Sequence, residues 1–260
     1  MHEAQQTGGL TPQERALSRR RFLTGSAALL GGGALVAALP GVATAHTTSN
    51  PPTDIDVLNY ALTLEHLEYA FYRGGLKKFS SDDFQLYFAR NRDYQKTGIK
   101  YLDGEEVRKY FTIIRAHEST HVQTLQDVIR SLGGKPVPEC TYNFKKTAFT
   151  SVAKFVSTAQ FLENTGVTAY DGAIAHVQAA KLLTAGATIA TVEARHASYL
   201  NLINGDVPFP STFDTPVAPR KICEAVQADN GGFIVSCPKP YGPYKSLDAL
   251  CAKLPNYVIS

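Results

Sequence analysis

The chain of 260 residues has no tryptophan, one methionine at its first position and only 4 cysteines. With no interior methionine, an adaptable Met-rich binding surface is excluded. No two cysteines form a C-x-x-C pair, which speaks against a zinc ribbon or a thioredoxin motif. Charge of one sign is scarce as well. The net charge is +3, and past residue 45 the chain carries 22 basic against 21 acidic groups. A nucleic-acid binder that works by counterion release needs a basic face or stripe, so no nucleic-acid partner is expected. Apolar runs are too short and few for a polytopic membrane protein. A composition of 44% hydrophobic and 19% charged residues excludes a mainly disordered chain. The length allows one large domain or two small ones.

The N-terminus reads as an address. Ser18-Arg19-Arg20-Arg21-Phe22-Leu23 precedes an Ala/Gly/Leu run over residues 26–40, and Ala43-Thr44-Ala45 follows. A charged segment, an apolar segment and small residues at a cleavage point, in that order, describe a secretory signal. The paired arginines before Phe-Leu resemble a twin-arginine signal. Residues 1–45 are therefore expected to engage twin-arginine export machinery and to be cleaved near Ala45. The mature chain would be periplasmic or extracellular. An uncleaved anchor helix is the alternative, and the short glycine-rich run argues against it. The resemblance implies a route that carries folded proteins, often with a cofactor already inserted. Cys140, Cys223, Cys237 and Cys251 all lie in the mature region, where disulfides are permitted. Their spacing leaves three connectivities open. Three of them sit in the Pro/Gly-rich tail, so stapling of that tail is expected, with buried free thiols as the alternative.

Residues 46–53 read as a linker. Helical patterning runs over 54–72 and is expected to stop at Gly74-Gly75. A short helix fits 80–90, where Ser81, Asp82 and Asp83 favour an N-terminus. Asp103, with Glu106 three residues on, gives a start like a capping box, and that helix runs to Gly133-Gly134. After a Pro-rich connection over 135–146, a third helix spans 149–183 and a fourth 185–204, closing at Gly205. Residues 205–260 read as a loop-rich extension with one short helix near 220–228 and a weak strand signal at 233–236. The fold class is all-α: a four-helix bundle over 54–204.

A bundle helix buries a stripe at alternating spacings of three and four. The four stripes are Ile55, Leu58, Leu62, Glu65, Tyr69, Tyr72; then Phe111, Ile114, Glu118, His121, Leu125, Val128, Leu132; then Phe149, Val152, Val156, Ala159, Glu163, Gly166, Tyr170, Ala173, Val177; then Leu182, Gly186, Ile189, Glu193, His196, Leu200, Ile203. Each stripe is apolar except near its middle. There the polar residues are Glu, Glu-x-x-His, Glu and Glu-x-x-His. An ionised carboxylate in an apolar seam loses several kcal/mol of hydration. Four together would repel one another. Two divalent cations remove both problems, and the i, i+3 spacing places each Glu/His pair on one helix face. A mixed carboxylate–imidazole set suits iron or manganese.

Two Glu-x-x-His motifs, each preceded by a seam glutamate, resemble the ferritin-like superfamily over about residues 54–204. Its di-metal carboxylate site takes a Glu from each of two helices and Glu-x-x-His from the other two. The matching positions are Glu65, Glu118, His121, Glu163, Glu193 and His196. An internal repeat agrees: Tyr72 and Tyr170 each follow their Leu-Glu by the same spacing, as do Leu125 and Leu200 their histidines. The 133–148 connection is long enough for the crossover such a bundle needs, since about 16 residues reach about 50 Å. Leu58-Asn59-Tyr60-Ala61-Leu62-Thr63-Leu64-Glu65-His66-Leu67-Glu68, Ala194 to Leu200 and the Pro-Phe-Pro at 208–210 look like an exported ferritin-like family that includes plant desiccation-related and fungal stress-response proteins. The resemblance implies two Fe or Mn ions per chain, and oxygen or peroxide as reaction partners in stress protection.

Two readings compete with the di-metal site. His117-Glu118-Ser119-Thr120-His121 also spells H-E-x-x-H, the zinc-protease helix, but the other half has Val192 before its glutamate and the protease reading leaves Glu65 and Glu163 without a role. A protective or binding protein that is metal-free, or that uses its metal only structurally, is the second. Within the first helix, Val57, Ala61, Leu64, Glu68 and Phe71 form an alternative seam, so Glu68 competes with Glu65; the repeat favours Glu65 as ligand and leaves Glu68 as a neighbouring carboxylate. Tyr72 and Tyr170 read as core tyrosines, with a hydrogen bond to a ligand carboxylate as the further option. His66 and His176 fall off the stripes and read as surface or packing residues. The extra loops at 73–103 and 205–260 speak against a 24-subunit storage shell.

Overall fold

The computed structural model describes residues 51–259, so the expected export signal and most of the linker lie outside the described residues. Helix α1 spans Asp54–Lys78 and starts on a reciprocal capping box. The Thr53 hydroxyl accepts from the Asp56 amide at 3.2 Å, and the Asp56 carboxylate accepts from the Thr53 amide at 2.9 Å. Gly74 and Gly75 do not end it. A Cβ on Gly75 would stand 2.1 Å from the Phe155 ring, so the glycine is there for close approach and the helix runs on for a full turn. Helix α2, Ser81–Arg90, is capped by Ser80 and Asp83. Helix α3, Gly104–Ser131, is capped by Asp103, but the box is not closed: the Glu106 carboxylate accepts from the Tyr110 hydroxyl instead.

Helices α4, Val152–Ile174, and α5, Ala180–Ile203, complete the bundle. The break between them falls at 175–179, several residues before the expected boundary at 183–185. The Ala-rich run around it offers no capping side chain of its own. Asp54 supplies the cap from α1, its carboxylate accepting from the amides of Gln178 and Ala179 at 2.7 and 3.2 Å. Helix α1 packs along α3 and α4 along α5, with the 132–151 crossover joining the two hairpins.

The C-terminal segment is a packed layer rather than a loose tail. It holds helix α6, Pro219–Ala225, strand β2, Ile234–Ser236, and a helix that sequence patterning did not indicate, α7, Leu247–Cys251. Strand β2 pairs antiparallel with β1, Thr141–Tyr142, in the crossover. Disulfides join Cys140 to Cys237 and Cys223 to Cys251, so one ties the crossover to the extension and the other staples the extension itself. Tyr244 donates to Asp56 at 2.8 Å, Tyr241 shares a hydrogen bond with Thr63 at 2.9 Å, and Asn59 accepts from the Val137 amide at 2.8 Å. These contacts cover the outer face of α1, so nearly every residue from Asp56 to Phe71 is buried. That burial on two faces is why two apolar seams were legible in this helix. His66 and His176 are both buried packing residues.

The two disulfides close loops of different length, with sequence separations of 97 and 28. Chain-entropy reasoning assigns the longer about 4.7 kcal/mol and the shorter about 3.6 kcal/mol. Serine at Cys140 and Cys237 should therefore lower stability more than serine at Cys223 and Cys251. Denaturant unfolding of the two double variants measures the order, and a reversed order would show that native packing outweighs loop closure.

Candidate metal centre

Each bundle helix brings its polar mid-seam residue to one buried point. Glu65 comes from α1, Glu118 and His121 from α3, Glu163 from α4, and Glu193 and His196 from α5. All four glutamates are fully buried and both histidines nearly so. Two groups of donors converge with all atoms within 4.8 Å of one another: Glu65, Glu118, His121 and Glu193, and Glu118, Glu163, Glu193 and His196.

The oxygens sort the glutamates into two kinds. His121 Nδ1 lies 3.1 Å from Glu65 Oε2, 3.2 Å from Glu118 Oε2 and 3.1 Å from Glu193 Oε1. His196 Nδ1 lies 3.2 Å from Glu118 Oε1, 3.1 Å from Glu163 Oε2 and 3.5 Å from Glu193 Oε2. Glu118 and Glu193 thus turn one oxygen toward each half. Glu65 and Glu163 each serve one half only. Their other oxygens are taken by tyrosines from the opposite hairpin: Tyr72 donates to Glu163 at 2.6 Å, and Tyr170 donates to Glu65. The hydrogen-bonding option for both tyrosines is the one the fold adopts.

The donor set fits metal ions. Ligand atoms on neighbouring corners of an octahedron with bonds of about 2.1 Å stand about 3 Å apart, close to the spacings around each histidine. Glu118 Oε1 and both Glu193 oxygens are buried and lack a hydrogen bond. Four buried carboxylates that share two histidine nitrogens call for further positive charge. With protons as the only positive charges, the cluster redistributes them. Burial pushes Glu65 up to about 8, and burial with neighbouring carboxylates holds Glu163 and Glu68 well above the carboxylate range. Burial opposes charge on His196, yet Glu118, Glu163 and Glu193 overcome it and raise it to about 12; His121 is raised by the same balance. Burial also opposes charge on Glu193, but the two histidines pull it down to about 2.

Two neighbours break the twofold pattern. Glu68 is buried beside the cluster, outside both donor groups. Its Oε1 would be 3.2 Å from a Cβ on Gly166, the residue at the matching position of the other half. His117 is the contact that spacing alone did not assign to a di-metal site. Its Nδ1 lies 2.9 Å from His196 Nε2, with the rings stacked at 5.2 Å. Its place one residue before Glu118 carried the only available signal. The geometry lends the H-E-x-x-H alternative no support: His117 is in neither donor group and faces a histidine of α5, and Glu118 lies between two histidines.

A family model described as a ferritin-like domain matches residues 53–206. Protein rds1 of Schizosaccharomyces pombe is 27% identical over 193 residues, covering 74% of this chain and 42% of the yeast protein. The chain thus spans less than half the length of that relative. With the matched segment taking in all four bundle helices and all six converging side chains, the chain belongs to the ferritin-like domain family.

Proposed function

We propose that this chain is an exported di-metal carboxylate protein, with iron or manganese as the metal and redox chemistry on oxygen or peroxide in stress protection as its role. The observation that carries the reading is the division of the Glu118 and Glu193 oxygens between His121 and His196. Glu118 and Glu193 would be shared between two ions, with Glu65 and His121 completing one and Glu163 and His196 the other. Such a pair supplies one-electron redox chemistry at a buried centre. The residues around it hold its ligands in place. Tyr72 and Tyr170 orient the terminal glutamates, and His117 fixes the outer nitrogen of His196. Elemental analysis of the purified mature protein is the direct test. Two iron or manganese per chain supports the proposal, one zinc favours hydrolytic chemistry, and no metal returns the chain to a metal-free protective protein.

Tyr72→Phe and Tyr170→Phe each remove the donor to a buried carboxylate oxygen. Metal affinity should fall about 10- to 100-fold in each while the fold is kept. His117→Ala should weaken one ion more than the other, because its hydrogen bond to the cluster is to His196. Competition with a chelator reads out both; unchanged affinity in all three variants would limit these residues to packing.

Export is a separate claim. Arg19→Lys combined with Arg20→Lys should leave precursor in the cytoplasm, seen by fractionation and immunoblotting. Normal appearance of mature protein outside the cytoplasm would end the twin-arginine assignment.

A further inference from the structure

The two halves of the bundle match at the cluster but not two turns away from it. Seven residues before their glutamates, α3 carries Phe111 and α5 carries Gly186. Phe111 is fully buried and meets Tyr72 edge-on, ring centroids 5.7 Å apart. On the other side of the cluster, Tyr170 and Gly186 line a cavity of about 100 Å³. The difference extends to the neighbours. Phe79 and Phe155 stack at 5.7 Å in the filled half, and their matching positions are Val177 and Val57 at the cavity. Tyr110 packs on Tyr199 at 5.4 Å across the α3/α5 seam, and their counterparts are Ala185 and Thr124. Small residues thus replace rings at each of these positions except Tyr170.

The cavity adjoins the cluster. Ala61 lies four residues before Glu65, Leu125 four after His121, and Ile189 four before Glu193, so α1, α3 and α5 each give the residue one turn from a cluster residue. Tyr170 gives the α4 wall, and its hydroxyl is committed to Glu65. The lining is otherwise apolar apart from Thr124 and Thr188, both exposed, one on α3 and one on α5. They mark a mouth at the α3/α5 seam. An apolar space of this size suits an uncharged apolar molecule, whereas an ion or strongly hydrated solute would lose hydration without a partner.

We infer that the Gly186 cavity binds a small uncharged apolar molecule, of the size and polarity of dioxygen, and presents it to the Glu65 side of the cluster. Binding itself needs only the cavity; what the molecule does next rests on the reading of the cluster as a metal centre. Xenon is the probe. Crystals of the mature protein pressurised with xenon should show it between Tyr170 and Gly186. Gly186→Phe should abolish that binding and keep the wild-type metal content. A Cβ at Gly186 would stand 3.9 Å from Ile174, an ordinary van der Waals contact, so the substitution starts without a clash. Gly186→Leu is the second variant if the ring overfills the site. Absence of xenon from the wild type, or its persistence in both variants, overturns the inference and leaves the metal proposal intact. Xenon bound in a protein that takes up no metal overturns the metal proposal, and with it the claim that the cavity serves a metal centre.

Discussion

Replacing Glu118 and His121 together with alanine should remove at least half of the bound metal and abolish any associated redox activity. The two substitutions contribute unequally. His121 faces one half of the cluster, so His121→Ala alone should empty one position. Glu118 turns an oxygen to each histidine at 3.2 Å, so Glu118→Ala should weaken both. The stability difference between wild type and variant should depend on bound metal. Bound metal at a hundredfold excess over its dissociation constant adds about 2.7 kcal/mol, which the double variant forfeits. Without metal, losing the Glu118 carboxylate relieves repulsion among Glu65, Glu163 and Glu193, while losing His121 removes a positive charge that faces Glu65 and Glu193, so the two effects oppose each other. The metal-loaded wild type should therefore melt highest, and the metal-free forms should lie close together. Elemental analysis with thermal melts, before and after chelation, measures both effects. Full metal content in the double variant would place the site elsewhere.

Gly75→Ala should destabilise the fold by about 1–3 kcal/mol, against the helix-propensity gain of about 1 kcal/mol for the same change at an exposed helical site. The Cβ would sit 2.1 Å from the Phe155 ring. That ring cannot retreat, being fully buried and packed against Phe71, Phe79 and Phe111 with centroids 4.9, 5.7 and 5.3 Å away. Denaturant midpoints of wild type and variant decide the sign. A stabilised variant would mean that Gly75 has no packing role.

Gly75 also illustrates how far local reading reaches. Paired glycines are an ordinary helix stop, and nothing nearby in sequence signals a ring from α4 pressed against them. Asp54 is a parallel case: it reads as the first residue of α1 and also caps the approach to α5. The C-terminal layer was underestimated for the same reason. Its short helices and strand draw their stability from β1, from two disulfides and from polar groups on α1.

Local spacing alone marks the four helices, their seams and the six side chains that meet at the centre. Helix periodicity is a short-range property: a spacing of three or four residues places side chains on one face whatever the rest of the chain does. The tertiary structure decided everything that depends on which faces meet. It made Glu118 and Glu193 the shared carboxylates, crossed Tyr72 and Tyr170 to the opposite hairpin's glutamates, set Glu65 in the cluster with Glu68 beside it, brought His117 against His196, and chose one of three cysteine pairings. These are contacts between residues far apart in the chain, fixed by how the helices pack, and no local spacing encodes them.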